Sequence, residues 1–140
     1  MQVVLDMRQN ELEQRQMEMA KIVAVLHKQE NELQEIKNSQ VQNSKQMEDL
    51  YNLEILNIPQ VEAHRDYSLK LTVDETNKLR IISNTKSLLA RKQKEVMEAH
   101  KKVEILKKLK EKQEKEYYKE FLASEIKEID DITSARFNIR

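Results

Sequence analysis

The stretch that decides the fold is 57–72, NIPQVEAHRDYSLKLT, because it holds Pro59, the single proline in a chain of 140 residues without one glycine. Proline lacks a backbone donor and steers the residue before it, Ile58, away from the α region, so a helix arriving from the N-terminal side ends near Asn57. The same proline is well placed in the first turn of a following helix, where its missing N–H loses no hydrogen bond. Thr72 followed by Glu75 reads as a capping box, which predicts a short helical corner segment over 58–72 with a fresh helix start behind it.

On either side of that corner the apolar residues repeat every seven positions. Leu5, Leu12, Met19, Leu26 and Leu33 form one series, with Ile22 and Ile36 on the intermediate positions. Ile82, Leu89, Val96 and Val103 form a second, joined by Ala99 and Leu106. A sustained seven-residue spacing keeps one narrow stripe against a partner helix, while the flanking Glu, Gln and Lys stay in water. The expected fold is all-α: a long antiparallel two-helix coiled-coil hairpin forming a single elongated domain over 1–140. Its first arm is 1–57, its corner 58–72 and its second arm 73–136.

Two registers satisfy the pattern. If the chain turns at Ile58, Leu33, Leu26, Met19 and Leu12 lie near Ile82, Leu89, Val96 and Val103. If all of 59–71 is spent on the turn, Leu50 lies opposite Leu79, and the polar stretch NSQVQNS (38–44) faces SNTKS (83–87). The second is preferred, because two weak stretches then face each other and no strong apolar position is wasted on them.

Composition removes most other functions. Without glycine, hairpin turns and phosphate-cradling loops lose the residue that adopts positive φ freely. Twenty-five basic residues balance 25 acidic ones, so the chain as a whole offers no net attraction to nucleic acid or an anionic membrane. The lysines of KKLKEKQEKE (107–116) alternate with glutamates at helical spacing, as on a solvated face. His27, His64 and His100 each stand alone, no cysteine is present, and neither a metal site nor a cofactor is expected. An acid or base needs an enclosed pocket to shift its pKa, which two helices do not provide, so no catalytic residue is assigned. No run reaches the roughly 18 consecutive apolar residues of a membrane span, and the sequence reads as a soluble cytosolic chain.

The second arm outruns the first in either register, and its end is unusual. In KEYYKEFLASEIKEIDDI (115–132), Tyr118, Phe121, Leu122, Ile126, Ile129 and Ile132 fall within about 140° of a helical wheel, broader than the seam behind them. Such a face wants another surface to cover it. The start MQVVLDM is in heptad phase without a cap, which suggests that the first arm begins earlier in the native chain; extra residues there would cover part of the stripe.

Three segments together resemble the FliJ family, the coiled-coil component of the flagellar type III protein-export apparatus. They are VVLDMRQNELEQRQMEMAKI (3–22), HRDYSLKL (64–71) and above all KVEILKKLKEKQEKEYYKEFLASEIKEIDDITSARF (102–137). The last carries a charged Leu-Lys repeat with Leu106 and Leu109, the aromatic pair Tyr117 and Tyr118, then Glu125, Lys127, Asp130 or Asp131, Thr133 and Arg136. The resemblance implies a non-enzymatic protein similar to the central stalks of rotary ATPases. It would regulate a hexameric flagellar export ATPase, link it to an export-gate membrane protein and escort export chaperones. The hairpin reading predicts a monomer, the balanced charge predicts no nucleic-acid partner, and the resemblance implies a place in the cytoplasm, peripheral at the inner face of the membrane. The ATPase end would be Tyr117, Tyr118, Phe121, Leu122, Ile126, Ile129, Ile132 and Arg136, and the gate end Met47, Leu50, Tyr51, Tyr67 and Leu71. Those last five residues alternatively form a small core that closes the corner. Rival readings are a dimeric structural spacer and the stalk protein of an injectisome or of a vacuolar-type ATPase.

Overall fold

The structure, a computed structural model, describes residues 1–139, with side chains as far as Phe137. Among the described residues there are two helices and no strand: α1, Gln2–Tyr51, and α2, Ile58–Ile139. The two pack against each other as an antiparallel hairpin. Their 50 and 82 residues are rich in Glu, Lys, Gln and Leu, all good helix formers, and the one proline lies in the first turn of α2. Helices this long gain most of their stability from the packed stripe rather than from propensity alone.

The connection is 52–57, and it closes without any residue at positive φ. Asn52 N–H donates to Glu48 O (3.2 Å), and Leu53 N–H reaches back to Leu50 O (3.4 Å), tightening the end of α1. Asn57 caps α2. Its side-chain oxygen accepts from Gln60 N–H (3.3 Å) and its carbonyl from Val61 N–H (3.1 Å). The corner thus differs from the expected one. Residues 58–72 are the opening turns of α2 and not a separate piece, and α1 stops at Tyr51 instead of near Asn57. Thr72 caps nothing: its hydroxyl donates to Ser68 O one turn back (3.0 Å), in the middle of a continuous helix. Asn57, one residue before the first helical position, supplies the acceptor that Thr72 was expected to provide.

The chain forms two compact units. In the unit Arg15–Val96, the two helices meet in one register throughout. Glu32 pairs with Lys78, Glu18 with Lys92 (3.3 Å) and Arg15 with Glu95 (3.4 Å). This is the register in which the chain turns close to Ile58, within about one helical turn; the preferred alternative, with Leu50 opposite Leu79, is corrected. The polar stretch 38–44 does not face 83–87. It faces the start of α2: Asn43 meets His64, and Gln40 Nε2 donates to Glu75 Oε2 (2.7 Å). The reason is that no residues of 58–72 are used up in turning, so they pair with the end of α1 and pull the two weak stretches apart.

The seam of this unit carries Met19, Ile22, Leu26, Leu33 and Ile36 from α1 and Leu71, Ile82, Leu89 and Val96 from α2, all buried or half-buried. Polar residues occupy the same phase: Gln29, Gln40 and Asn43 on α1, and His64, Ser68, Glu75, Lys78, Thr85 and Lys92 on α2. In the other unit, Met1–Gln14 with α2 from Met97 onward, Leu5, Ala99 and Val103 are buried and Leu12 and Leu106 half-buried. Lys110 Nζ donates to Gln2 Oε1 at the very start of α1. From Glu111 to Phe137 every side chain is exposed.

Candidate partner-binding surfaces

Three surfaces follow from this arrangement: the end of α2, the corner and the charged flanks of the seam. Each is set by where the seven-residue phase runs and where it stops.

At the end of α2, Tyr117, Tyr118, Phe121, Leu122, Ile126, Ile129 and Ile132 are all exposed, from 41% for Leu122 to 73% for Tyr117, and Arg136 is exposed with them. The helix itself continues unbroken, with Thr133 Oγ1 donating to Ile129 O (2.9 Å) on the last described turns. The apolar stripe is not a continuation of the seam. Carrying the phase of Ala99, Val103, Leu106 and Lys110 forward selects Gln113, Tyr117, Glu120, Ser124, Lys127 and Asp131, among which Tyr117 alone is apolar. Phe121, Leu122, Ile126, Ile129 and Ile132 lie on another side of α2. An arm that followed the existing seam would therefore not cover them, and the stripe is available to a partner approaching from a different direction.

At the corner, the five residues named from sequence divide. Leu71 is buried, and Met47 and Leu50 are half-buried in seam phase, so these three pack the closing end of the hairpin. Tyr51 and Tyr67 are exposed. Sequence reasoning missed the larger apolar surface beside them: Leu53, Ile55, Leu56 and Ile58, all exposed, with Ile55 at 85%. A signal was present, since Tyr51 to Ile58 holds five apolar side chains out of seam phase immediately before the proline. With α1 extended to Asn57 they read as ordinary arm residues.

Also missed was the pair Asn43 and His64. Asn43 follows Ile22, Gln29 and Ile36 at seven-residue steps, so continuing the intermediate series would have found it. It is buried, at 3% exposure. Its Nδ2 donates to His64 O (3.0 Å), and His64 Nδ1–H donates to its Oδ1 (2.7 Å), which satisfies both ends of the amide. His64 is thus a seam residue. His100 lies 3.9 Å from Glu104, one turn along, and His27 is exposed.

Along the seam, Lys92 sits between Glu18 and Glu95, and Arg15 reaches both of the same carboxylates. The hydrogen bonds that Lys92 donates to Glu95 and then to Glu18 raise its pKa above the usual lysine value, while the hydrogen bond from Lys78 and its charge hold Glu32 below the usual glutamate value. These charged groups clasp the flanks. Glu32 and Lys78 line an open groove, and among the described residues no three of His, Cys, Asp or Glu are grouped as a metal site. What the arrangement can do is bind: it offers an apolar helical end, an apolar corner and a register held by polar pairs.

A family model, the flagellar FliJ protein, matches residues 1–140. The chain belongs to the FliJ family. Membership makes it a flagellar export-related protein, and the family's coiled-coil character agrees with the hairpin. No curated protein and no solved structure matches it. Among the described residues no helix is long and apolar enough to cross a membrane. The surfaces above are therefore those of a FliJ-family hairpin.

Proposed function

We propose that this protein acts as a stalk-like regulator of the hexameric flagellar export ATPase, with the apolar end of α2 as its docking element. The observation that carries the reading is the exposed stripe from Tyr118 to Ile132, off the face of α2 that the seam uses. A helix with one apolar side and no packed neighbour is suited to a groove or ring that supplies the missing surface. A two-helix chain of this kind would change ATPase turnover by contacting its conformational states unequally. In this reading Tyr117, Tyr118, Phe121, Leu122, Ile126, Ile129, Ile132 and Arg136 meet the ATPase.

The corner end is the partner-binding end toward the export gate, with Tyr51 and Tyr67 as its outward residues and Met47, Leu50 and Leu71 shaping the hairpin beneath them. Chaperone escort, a monomeric state and a peripheral membrane location belong to the same proposal. The test is binding of the purified chain to its cognate export ATPase. Phe121→Ser with Ile129→Ser should weaken binding while circular dichroism stays unchanged, because both side chains are exposed on the free helix. Undiminished binding by the double variant would remove the tail from the ATPase contact.

A further inference from the structure

We infer that the corner connection is an apolar knob with an acidic collar, anchored at both ends and suited to an apolar cleft rimmed by lysine and arginine on a protein partner. This rests on the reading of the corner as a partner-binding end, and it moves the contact from the seam residues beneath to the connection itself. The knob is Leu53, Ile55, Leu56 and Ile58, with Tyr51 at its base, all exposed. Four apolar side chains in six residues at a solvent-exposed turn are far from the polar composition expected of a connection with no other role.

The segment is anchored at both ends by its own bonds. Glu48 O and Leu50 O hold its beginning, the Asn57 side chain and carbonyl hold its end, and Pro59 stiffens the first turn of α2. No glycine loosens it. A knob anchored at both ends loses less conformational freedom on docking than a free loop of the same length.

Charge selects the occupant. Between Lys45 and Arg65 the chain has no lysine or arginine, in a sequence that carries 25 of them, yet it has Glu48, Asp49, Glu54 and Glu62, all exposed. An anionic membrane surface repels such a collar, although the apolar residues alone would suit a bilayer. A second copy meeting tip to tip would bring two like-charged collars together. A protein cleft with a basic rim is attracted by the collar and covered by the knob, which leaves it as the occupant that both features favour.

The test uses the full-length chain in its native cell with a photo-crosslinking p-benzoylphenylalanine in place of Leu53, followed by peptide identification. The expected product is one protein whose crosslinked peptide is apolar and flanked by Lys or Arg. That partner, purified, should bind Ile55→Ser/Leu56→Ser at least tenfold more weakly than the original chain. Glu48→Lys/Glu54→Lys should weaken it severalfold at low salt, with the difference shrinking as salt rises. The second variant leaves the apolar residues intact, so a folding defect in the first does not decide the matter. A crosslink to lipid, to a second copy or to an acidic peptide, no crosslink at all, or full binding by both variants would each overturn the inference. Sedimentation of the chain with phosphatidylglycerol vesicles that is lost in Ile55→Ser/Leu56→Ser would overturn it too. The two readings fail separately: if loss of the whole chain leaves flagellar export intact, the export role falls while a basic-rimmed crosslink still stands. If export needs the chain but the tip variants bind and export normally, the knob alone falls.

Discussion

Asn43→Ala and Asn43→Leu should separate the stability of the hairpin from the uniqueness of its register. Asn43 is the one buried polar side chain among the described residues, and it holds His64 through two hydrogen bonds of 3.0 and 2.7 Å. At about 0.5–1.5 kcal/mol each, their loss together with a half-buried imidazole left unpaired places Asn43→Ala at roughly 2 kcal/mol of destabilisation. That is about a thirtyfold change in the folding equilibrium. Asn43→Leu loses the same bonds but adds apolar contact in the seam, so its melting temperature should be unchanged or higher. Its register should no longer be unique, because leucine packs equally well one heptad along, whereas asparagine is satisfied only opposite His64. Urea unfolding followed by circular dichroism measures the first effect. The second is read by a short bis-maleimide joining Glu32→Cys to Lys78→Cys in the native register, compared with Glu32→Cys to Leu71→Cys or to Thr85→Cys for slipped ones. A Leu variant giving the native crosslink alone, together with an Ala variant that loses less than about 0.5 kcal/mol, would refute the assignment of register to this pair.

Gln29 sits in the same phase with a buried Oε1 that has no hydrogen-bond partner among the described residues, so Gln29→Leu should stabilise the hairpin by about 1 kcal/mol in the same unfolding assay. Glu32 is held below its ordinary value of 4.5, so its contribution is complete above that pH and disappears as pH falls through the depressed pKa. Lys92 is raised above 10.5, so its contribution is complete below that pH and disappears as pH rises through the raised pKa. The melting temperature should therefore be level between those limits and fall outside them, and Glu32→Gln should flatten the acid side. For the tail, Phe121→Ser with Ile129→Ser should lower affinity for the export ATPase by about 2–4 kcal/mol, the range for central apolar anchors, as measured by calorimetry.

Much of this protein follows from its residues taken one at a time. A chain without glycine, with one proline and with leucine and isoleucine at seven-residue steps, has few options besides two helices joined at that proline, because helix periodicity and proline's missing donor are local properties. The exposed stripe from Tyr118 to Ile132 was readable for the same reason: a wheel needs only the sequence and the assumption of a helix. Family membership was readable in the terminal motif.

Pairing is not local. The two registers present similar apolar contacts, and the choice between them depends on how few residues the corner consumes and on which polar side chains satisfy one another across the seam. Only with the helices folded together do Asn43 and His64 meet, and only then do Glu32 and Glu18 find Lys78 and Lys92. The same closure turns Leu71 inward and leaves Ile55 outward, although both are plain aliphatic residues near one proline. Their difference arises from the path of six connecting residues, which no periodicity describes.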